Sequence, residues 1–256
     1  MADPAKVTLG ETQVTRIGLG SNRLTNTPEH VAFIQEAVAA GVQLIDTAHI
    51  YAGGESEQTI GAALAPVPEG CVVAAKGGYG TGNGRPEVLR AQIEESLRRL
   101  RTDSIGLYYL HTVDPETPLE DSLGAIEDYR EQGRIEHVGV SNVSVEEIER
   151  ASQVTPIAAV QNHYNLAERE HEDVVDYCAD NGIVFVPYFP LRAGVENAGE
   201  IAERHGATPA QIALAWLLRR SPTTLPIPGT LSLEHLRQNL GAAEIELTDD
   251  EFEALR

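Results

Sequence analysis

A (β/α)8 TIM barrel with a short N-terminal β-hairpin is the fold this sequence predicts, on three observations. Apolar runs of strand type alternate with segments of helical period along the chain, the pattern of parallel strands joined by helical crossovers. Eight such strands can be counted from Ile17 onward. The chain has 256 residues, close to the roughly 250 that eight such units occupy. No Pro/Gly/Ser-rich linker divides it, so residues 1–256 read as one barrel domain.

In order, residues 7–20 read as a hairpin turning at Gly10-Glu11, leading into a first inner strand near Ile17–Ser21. Helix Glu29–Ala40 stops at Gly41, a residue free to take the left-handed backbone that ends helices. Strand Val42–Ala48, helix Glu55–Leu64 and strand Cys71–Lys76 follow. Helix Pro86–Leu100 carries proline in its first turn, where no N–H is needed. Strand Ile105–His111, helix Leu119–Gln132, strand Ile135–Ser141, helix Val145–Gln153 and strand Ala158–Asn162 come next. Helix His171–Asn181 precedes strand Ile183–Tyr188, and helices Gly199–His205 and Pro209–Arg219 lead to strand Thr224–Ile227. Helices Leu233–Ala242 and Asp249–Leu255 complete the series.

The bulk numbers exclude several functions. A hydrophobic fraction of 42% is ample for a core, and no run of 18 apolar residues is present to span a bilayer. A net charge of −20 repels phosphate backbones and anionic lipid, so neither nucleic acid nor membrane is an expected partner. The first residues, Met1 to Lys6, lack a basic region followed by an apolar one. Cys71 and Cys178 lie in a strand and a helix and read as buried thiols, which points to a cytoplasmic protein. The sequence leaves the oligomeric state open. Of 19 lysines plus arginines only Lys6 and Lys76 are lysine. A chain that writes arginine almost everywhere has kept a compact amine, able to shift its pKa when buried, at the end of an apolar strand.

Three consecutive strands each end in a titratable group: Asp46, Lys76 and His111. In a parallel barrel those ends share the face where active sites sit. Tyr51 follows Asp46 by five residues, in a loop on the same face. A phenol is a poor acid near neutral pH, because its ordinary pKa is about 10. A buried ammonium beside it favours the phenolate and lowers that value, and a carboxylate keeps the ammonium charged. An imidazole at the same mouth can hold a carbonyl oxygen, so the set suits proton donation to a developing alkoxide. Taken singly, Asp46 also reads as a helix cap, Tyr51 as loop packing and His111 as a core histidine. No metal-ligand spacing stands out; His163 and His171 are eight apart with a helix start between them.

Motifs along nearly the whole chain are similar to those of the aldo-keto reductase family. They are Asp46-Thr47-Ala48 with Tyr51 and Glu55-Ser56-Glu57, Lys76-Gly77-Gly78, Leu97-Arg98-Arg99-Leu100, Leu110-His111, and Gly133-Arg134-Ile135 leading to Gly139-Val140-Ser141-Asn142. Gln161-Asn162-His163-Tyr164-Asn165, Pro187-Tyr188-Phe189-Pro190-Leu191 and Ile227-Pro228-Gly229-Thr230 continue the series. The wording is closest to bacterial pyridoxal reductase-like members. The resemblance implies hydride transfer between a nicotinamide and the carbonyl carbon of an aldehyde or ketone. It makes Tyr51 the general acid, with Lys76 and Asp46 tuning it and His111 orienting the carbonyl. It also implies that Ser141, Asn142 and Gln161 meet the nicotinamide amide while Tyr188 stacks on the ring. Left to their own residues, Ser141-Asn142 also reads as a helix cap and Gln161 as a tie between loops.

No Gly-x-Gly-x-x-Gly opens a helix after the first strand, so the phosphates go to the barrel loops 189–194 and 228–239. There the resemblance assigns Phe189, Pro190, Leu191 and Arg192 on one side. On the other it assigns Pro228, Gly229, Thr230, His235, Gln238 and Asn239. Well-known members place a lysine and an arginine where this chain has Gly229 and His235, with Arg237 nearby. NADP(H) is the cofactor implied, with NAD(H) as the alternative. The brief 112–119 stretch implies an open mouth, with His49, Ile50, Tyr79 and Phe189 as wall candidates. Two rival functions remain: a nicotinamide-binding regulatory protein of little activity, and a lyase or isomerase using Lys76 as a Schiff base.

Overall fold

The computed structural model describes residues 5–255. The hairpin is present: β1 (Lys6–Leu9) and β2 (Thr12–Thr15) pair antiparallel around Gly10-Glu11. Gly10 takes φ +59, and a Cβ there would meet the His137 ring at 2.1 Å, so the turn needs glycine twice over.

The barrel wall follows in chain order. It comprises β3 (Leu19–Gly20), α1 (Pro28–Ala39), β4 (Leu44–Asp46), a 3-10 turn (Tyr51–Gly54), α2 (Glu55–Leu64), β5 (Val72–Gly77), α3 (Pro86–Leu100) and β6 (Ile105–Leu110). Then come α4 (Leu119–Glu131), β7 (Ile135–Ser141), α5 (Val145–Ala151), β8 (Ile157–Gln161), α6 (Glu172–Asn181), β9 (Val184–Phe185), α7 (Gly199–His205) and α8 (Pro209–Arg220), with α9 (Leu233–Gly241) and α10 (Asp249–Ala254) at the end. Strands β3 to β9 form one parallel sheet in sequence order. Capping boxes start three of the helices, Ser144 with Glu147, Thr208 with Gln211 and Thr248 with Glu251, each satisfying N–H groups the helix leaves open.

The eighth strand, read as Thr224–Ile227, is reduced to isolated bridges. Thr224 pairs with Phe185 on one side and Gly229 with Gly20 on the other, which closes the ring. Gly18 and Gly20 donate to the carbonyls of Pro226 and Pro228 at 3.0 and 3.3 Å. The two prolines have no N–H to give back, so a ladder cannot form. The strand read as Ile183–Tyr188 is likewise shortened to β9, and most other ends differ by one or two residues.

Side chains alternate along each strand, so every second residue enters the barrel. The lower interior is apolar: Leu44, Val72, Ala74, Leu107, Ala159, Val184 and Leu225 pack there with Leu9 and Val14 of the hairpin. A larger cluster fills the space between strands and helices, and Trp216 is fully buried in it. Cys178 is buried and Cys71 partly so, both as free thiols. Among the described residues, no helix is long and apolar enough to cross a membrane.

Candidate active site

Two residues above each apolar layer the same strands turn polar. Asp46 ends β4, Lys76 lies one residue from the end of β5, His111 follows β6, and Ser141 and Gln161 end β7 and β8. Lys76 is fully buried, and its Nζ donates to Asp46 Oδ1 at 2.5 Å and to the Thr47 carbonyl at 2.8 Å. It also reaches the Tyr51 hydroxyl at 3.4 Å. Gln161 Nε2 donates to Asp46 Oδ2 at 2.8 Å, so both carboxylate oxygens are engaged and Asp46 caps no helix. The four residues expected to act together are therefore in one place. The His111 and Tyr51 rings meet edge-on with centroids 6.1 Å apart.

The electrostatics differ in one respect from the expectation. Burial raises the Tyr51 phenol above its ordinary pKa, and the opposing pull of Lys76 is the smaller effect. The resting hydroxyl is thus protonated near neutral pH. Burial alone would lower the pKa of Lys76, but the adjoining Asp46 and Tyr51 together prevail and hold it above the usual value. His111 is driven down to about 3 by burial and by repulsion from Lys76. It is a neutral imidazole, a hydrogen-bond partner rather than a charge.

Asp46, Tyr51 and His111 line a cleft of about 850 Å³, with Lys76 buried beneath its surface, within the usual range for a small-molecule site. Its walls bring in Ser141, Asn142, Gln161, Tyr188, Phe189, Pro190, Leu191, Arg192, Pro228 and Gly229, all expected at the cofactor. Asn142 takes φ +58, a backbone that asparagine tolerates, and its Nδ2 donates to the His111 carbonyl at 3.0 Å. The Tyr188 hydroxyl donates to Asn142 Oδ1 at 2.8 Å, and His163 lies parallel to the Tyr188 ring at 5.3 Å. The tyrosine face is thereby fixed. Ser144, not Ser141-Asn142, caps α5, so the capping alternative for that pair falls away.

Four expected cofactor residues do not reach the wall. Thr230 accepts from the Ser232 N–H, and His235, Gln238 and Asn239 lie on α9, Asn239 with its side chain buried. Among the wall candidates, Ile50, Tyr79 and Phe189 line the cleft and are largely exposed. His49 does not line it: its ring turns outward, with Nδ1 against Arg99 at 3.3 Å and Nε2 towards Glu95. Gly20, Ser21, Asn22 and Arg23 were not foreseen at the wall. Their signal was available, since Gly20 ends β3 as Asp46 ends β4, and the other three follow directly. Arg23 donates to the Gly229 carbonyl at 3.2 Å, and Arg192 lies over the Phe189 ring at 5.0 Å.

A parallel barrel thus carries a protonated phenol, a buried ammonium and a neutral imidazole together at the C-terminal ends of its strands. The family model "Aldo/keto reductase family" matches residues 16–195 and 193–256. Pyridoxine 4-dehydrogenase of Escherichia coli is 34% identical over 274 residues, 97% of this chain and 96% of that one. An uncharacterized oxidoreductase of Schizosaccharomyces pombe is 37% identical, over 97% of this chain and 88% of its own. An aldo/keto reductase of Klebsiella pneumoniae, solved with NADP and acetate, superposes with a TM-score of 0.87 at 31% identity, covering 98% of this chain and 94% of that one. A thermostable aldo-keto reductase solved with the inhibitor epalrestat gives a TM-score of 0.89 at 34% identity, covering 98% of both chains. The chain belongs to the aldo/keto reductase family and is an NAD(P)H-dependent carbonyl oxidoreductase.

Proposed function

We propose that this chain reduces an aldehyde or ketone with NADPH, Tyr51 donating the proton to the carbonyl oxygen. The observation that carries the reading is the Tyr51 hydroxyl 3.4 Å from Lys76 Nζ, at the mouth of a cleft that Tyr51 itself lines. The residues present fit the cofactor. The Tyr188 ring, braced by His163, is a flat rest for an aromatic ring. In a chain of net charge −20, neither Arg23 nor Arg192 on the wall has a carboxylate partner among the described residues, which leaves both available to phosphates. When bound, the reduced nicotinamide supplies the hydride.

The rest is the work of side chains. His111, neutral, offers a hydrogen bond that holds the carbonyl oxygen beside Tyr51. As charge develops on that oxygen, Tyr51 gives up its proton. The phenolate left behind faces the Lys76 ammonium, and Asp46 keeps that ammonium charged. Burial makes the attraction between them strong. In the reverse direction the phenolate would take the proton of an alcohol.

A coenzyme-paired screen, NADPH against NADH, tests the reading on aldehydes, ketones and quinones, with Tyr51→Phe as control. Pyridoxal belongs in the panel because the Escherichia coli relative is a pyridoxine 4-dehydrogenase. Loss of nicotinamide absorbance that depends on substrate and vanishes in Tyr51→Phe is the expected result. Tight NADPH binding with no turnover on any member would support the regulatory alternative instead.

A further inference from the structure

Resting on that reading of Tyr51, we infer that Arg99 is a positioning residue, fixing the acid against Lys76 by gripping the chain on both sides of the tyrosine. Arg99 comes from the last turn of α3 and is not part of the cleft wall. Upstream of Tyr51, its Nη1 donates to the His49 carbonyl at 3.0 Å. The His49 N–H in turn donates to the Lys76 carbonyl at 2.9 Å. The grip therefore acts at the residue that already ties this loop to the lysine's strand.

Downstream, the guanidinium packs against Gly54. A Cβ on Gly54 would lie 2.2 Å from Arg99 Cζ, and the glycine has φ +97. Between the two holds the chain makes a left-handed turn, with Ala52 at φ 48 and Gly53 at φ 64. A side chain does not favour that backbone, and it persists only where the surroundings enforce it. Tyr51 sits immediately before this turn, so the strain is stored next to the reacting hydroxyl.

The guanidinium is itself anchored. Glu57 Oε2 is 3.1 Å from Nη1 and Glu95 Oε1 is 2.8 Å from Nη2. Glu57 is fully buried and the Arg99 side chain is only 10% exposed. A buried ion pair is a weak source of net stability, so its presence calls for another reason. A planar fork can serve a carbonyl, two carboxylates and a glycine face at once, whereas a lysine ammonium cannot. Glu57 and Arg99 together turn the outer helices α2 and α3 into a mount for the loop between β4 and α2.

Arg99→Met, Arg99→Lys and Glu57→Gln test this, each measured for kcat, KM, NADPH Kd, solvent isotope effect and melting. A misplaced acid can cost about 100-fold in rate, so Arg99→Met should lose roughly 30- to 100-fold in kcat while KM and Kd stay within about threefold. Its solvent isotope effect on kcat should rise, because proton donation becomes limiting. Arg99→Lys should recover part of the loss. If Arg99→Met does not fold, Glu57→Gln should show the same split at smaller size. A folded variant with wild-type kcat and isotope effect would overturn the inference, as would an equal loss of cofactor affinity and rate. Should the wild type reduce no carbonyl, the proposed function fails separately. The titration of Tyr51, followed by NMR on carbon-labelled tyrosine, then decides: a midpoint moved by Arg99→Met supports the grip, and an unmoved one overturns it.

Discussion

The lower and upper layers of the barrel interior are built by the same strands and have opposite chemistry. On β4 the inward residues run from Leu44 to Asp46, and on β5 from Val72 and Ala74 to Lys76. Through β6 they run from Leu107 and Tyr109 to His111, and on β8 from Ala159 to Gln161. Below, the hairpin residues Leu9 and Val14 seal the apolar layer. Above, the cleft opens to solvent. The contrast teaches how the site acquires its properties. A sealed apolar floor withholds water from Lys76 and Asp46, which makes each charge costly alone and their pairing tight. The same desolvation keeps Tyr51 protonated and His111 neutral.

Changing the upper layer should abolish turnover, and the largest effect belongs to Lys76→Met. It removes the ammonium that receives the phenolate and leaves Asp46 buried without its partner. A loss of about 10³-fold or more in kcat is expected, with destabilisation of about 3–5 kcal/mol from the orphaned carboxylate. Adding Asp46→Asn should restore melting and leave activity lost. Recovery of both would mean that the pair is merely structural.

Changing the lower layer should do the reverse. Leu107→Ala opens a cavity beneath the site and should cost about 2–5 kcal/mol by chemical denaturation, with kcat close to wild type. A large fall in kcat at unchanged melting would erase the distinction between floor and rim.

The two layers also differ in pH response, through His111. Its folded pKa is about 3 against an ordinary 6.5. Below pH 6.5 the unfolded chain binds a proton that the folded chain refuses, so stability falls as pH drops from 6.5 towards 3. The slope from this one group is about 1.4 kcal/mol per pH unit. His111→Gln should flatten the wild-type curve by that amount over the same window. Identical curves would show that the imidazole is not desolvated.

The smallest effect is expected at the outer wall. Arg23→Ala and Arg192→Ala should each weaken NADPH binding by roughly tenfold, about 1.4 kcal/mol, measured by nicotinamide fluorescence, with kcat at saturation nearly unchanged. A fall in kcat without a change in Kd would move these arginines from cofactor to chemistry.

The sequence made the upper layer legible because strand ends in a parallel barrel share a face, which placed Asp46, Lys76 and His111 together without any contact being visible. It made helices α2 and α3 legible to the residue, through their first-turn carboxylates and proline. What it hid depends on burial and on the path of loops. The net direction of the Tyr51 pKa is a contest between desolvation and Lys76, and only the folded chain decides it. His49 precedes Ile50 in a loop, yet the two face opposite ways because Arg99 holds one of them. Pro226 within the eighth strand and Pro228 just after it were visible, and their missing N–H groups explain why only bridges form there. Of the residues from Gly229 onward that the likeness of wording assigns, only Gly229 lines the cleft, and a likeness of wording carries no distances.

The central claim is that Tyr51 rests as a protonated phenol whose ionised form is held by Lys76. Following Tyr51 by NMR on carbon-labelled tyrosine, assigned with Tyr51→Phe, tests it directly. In the free protein its titration should lie above pH 10 and move higher still in Lys76→Met. A phenolate already present near neutral pH, or a midpoint indifferent to Lys76, would contradict the account.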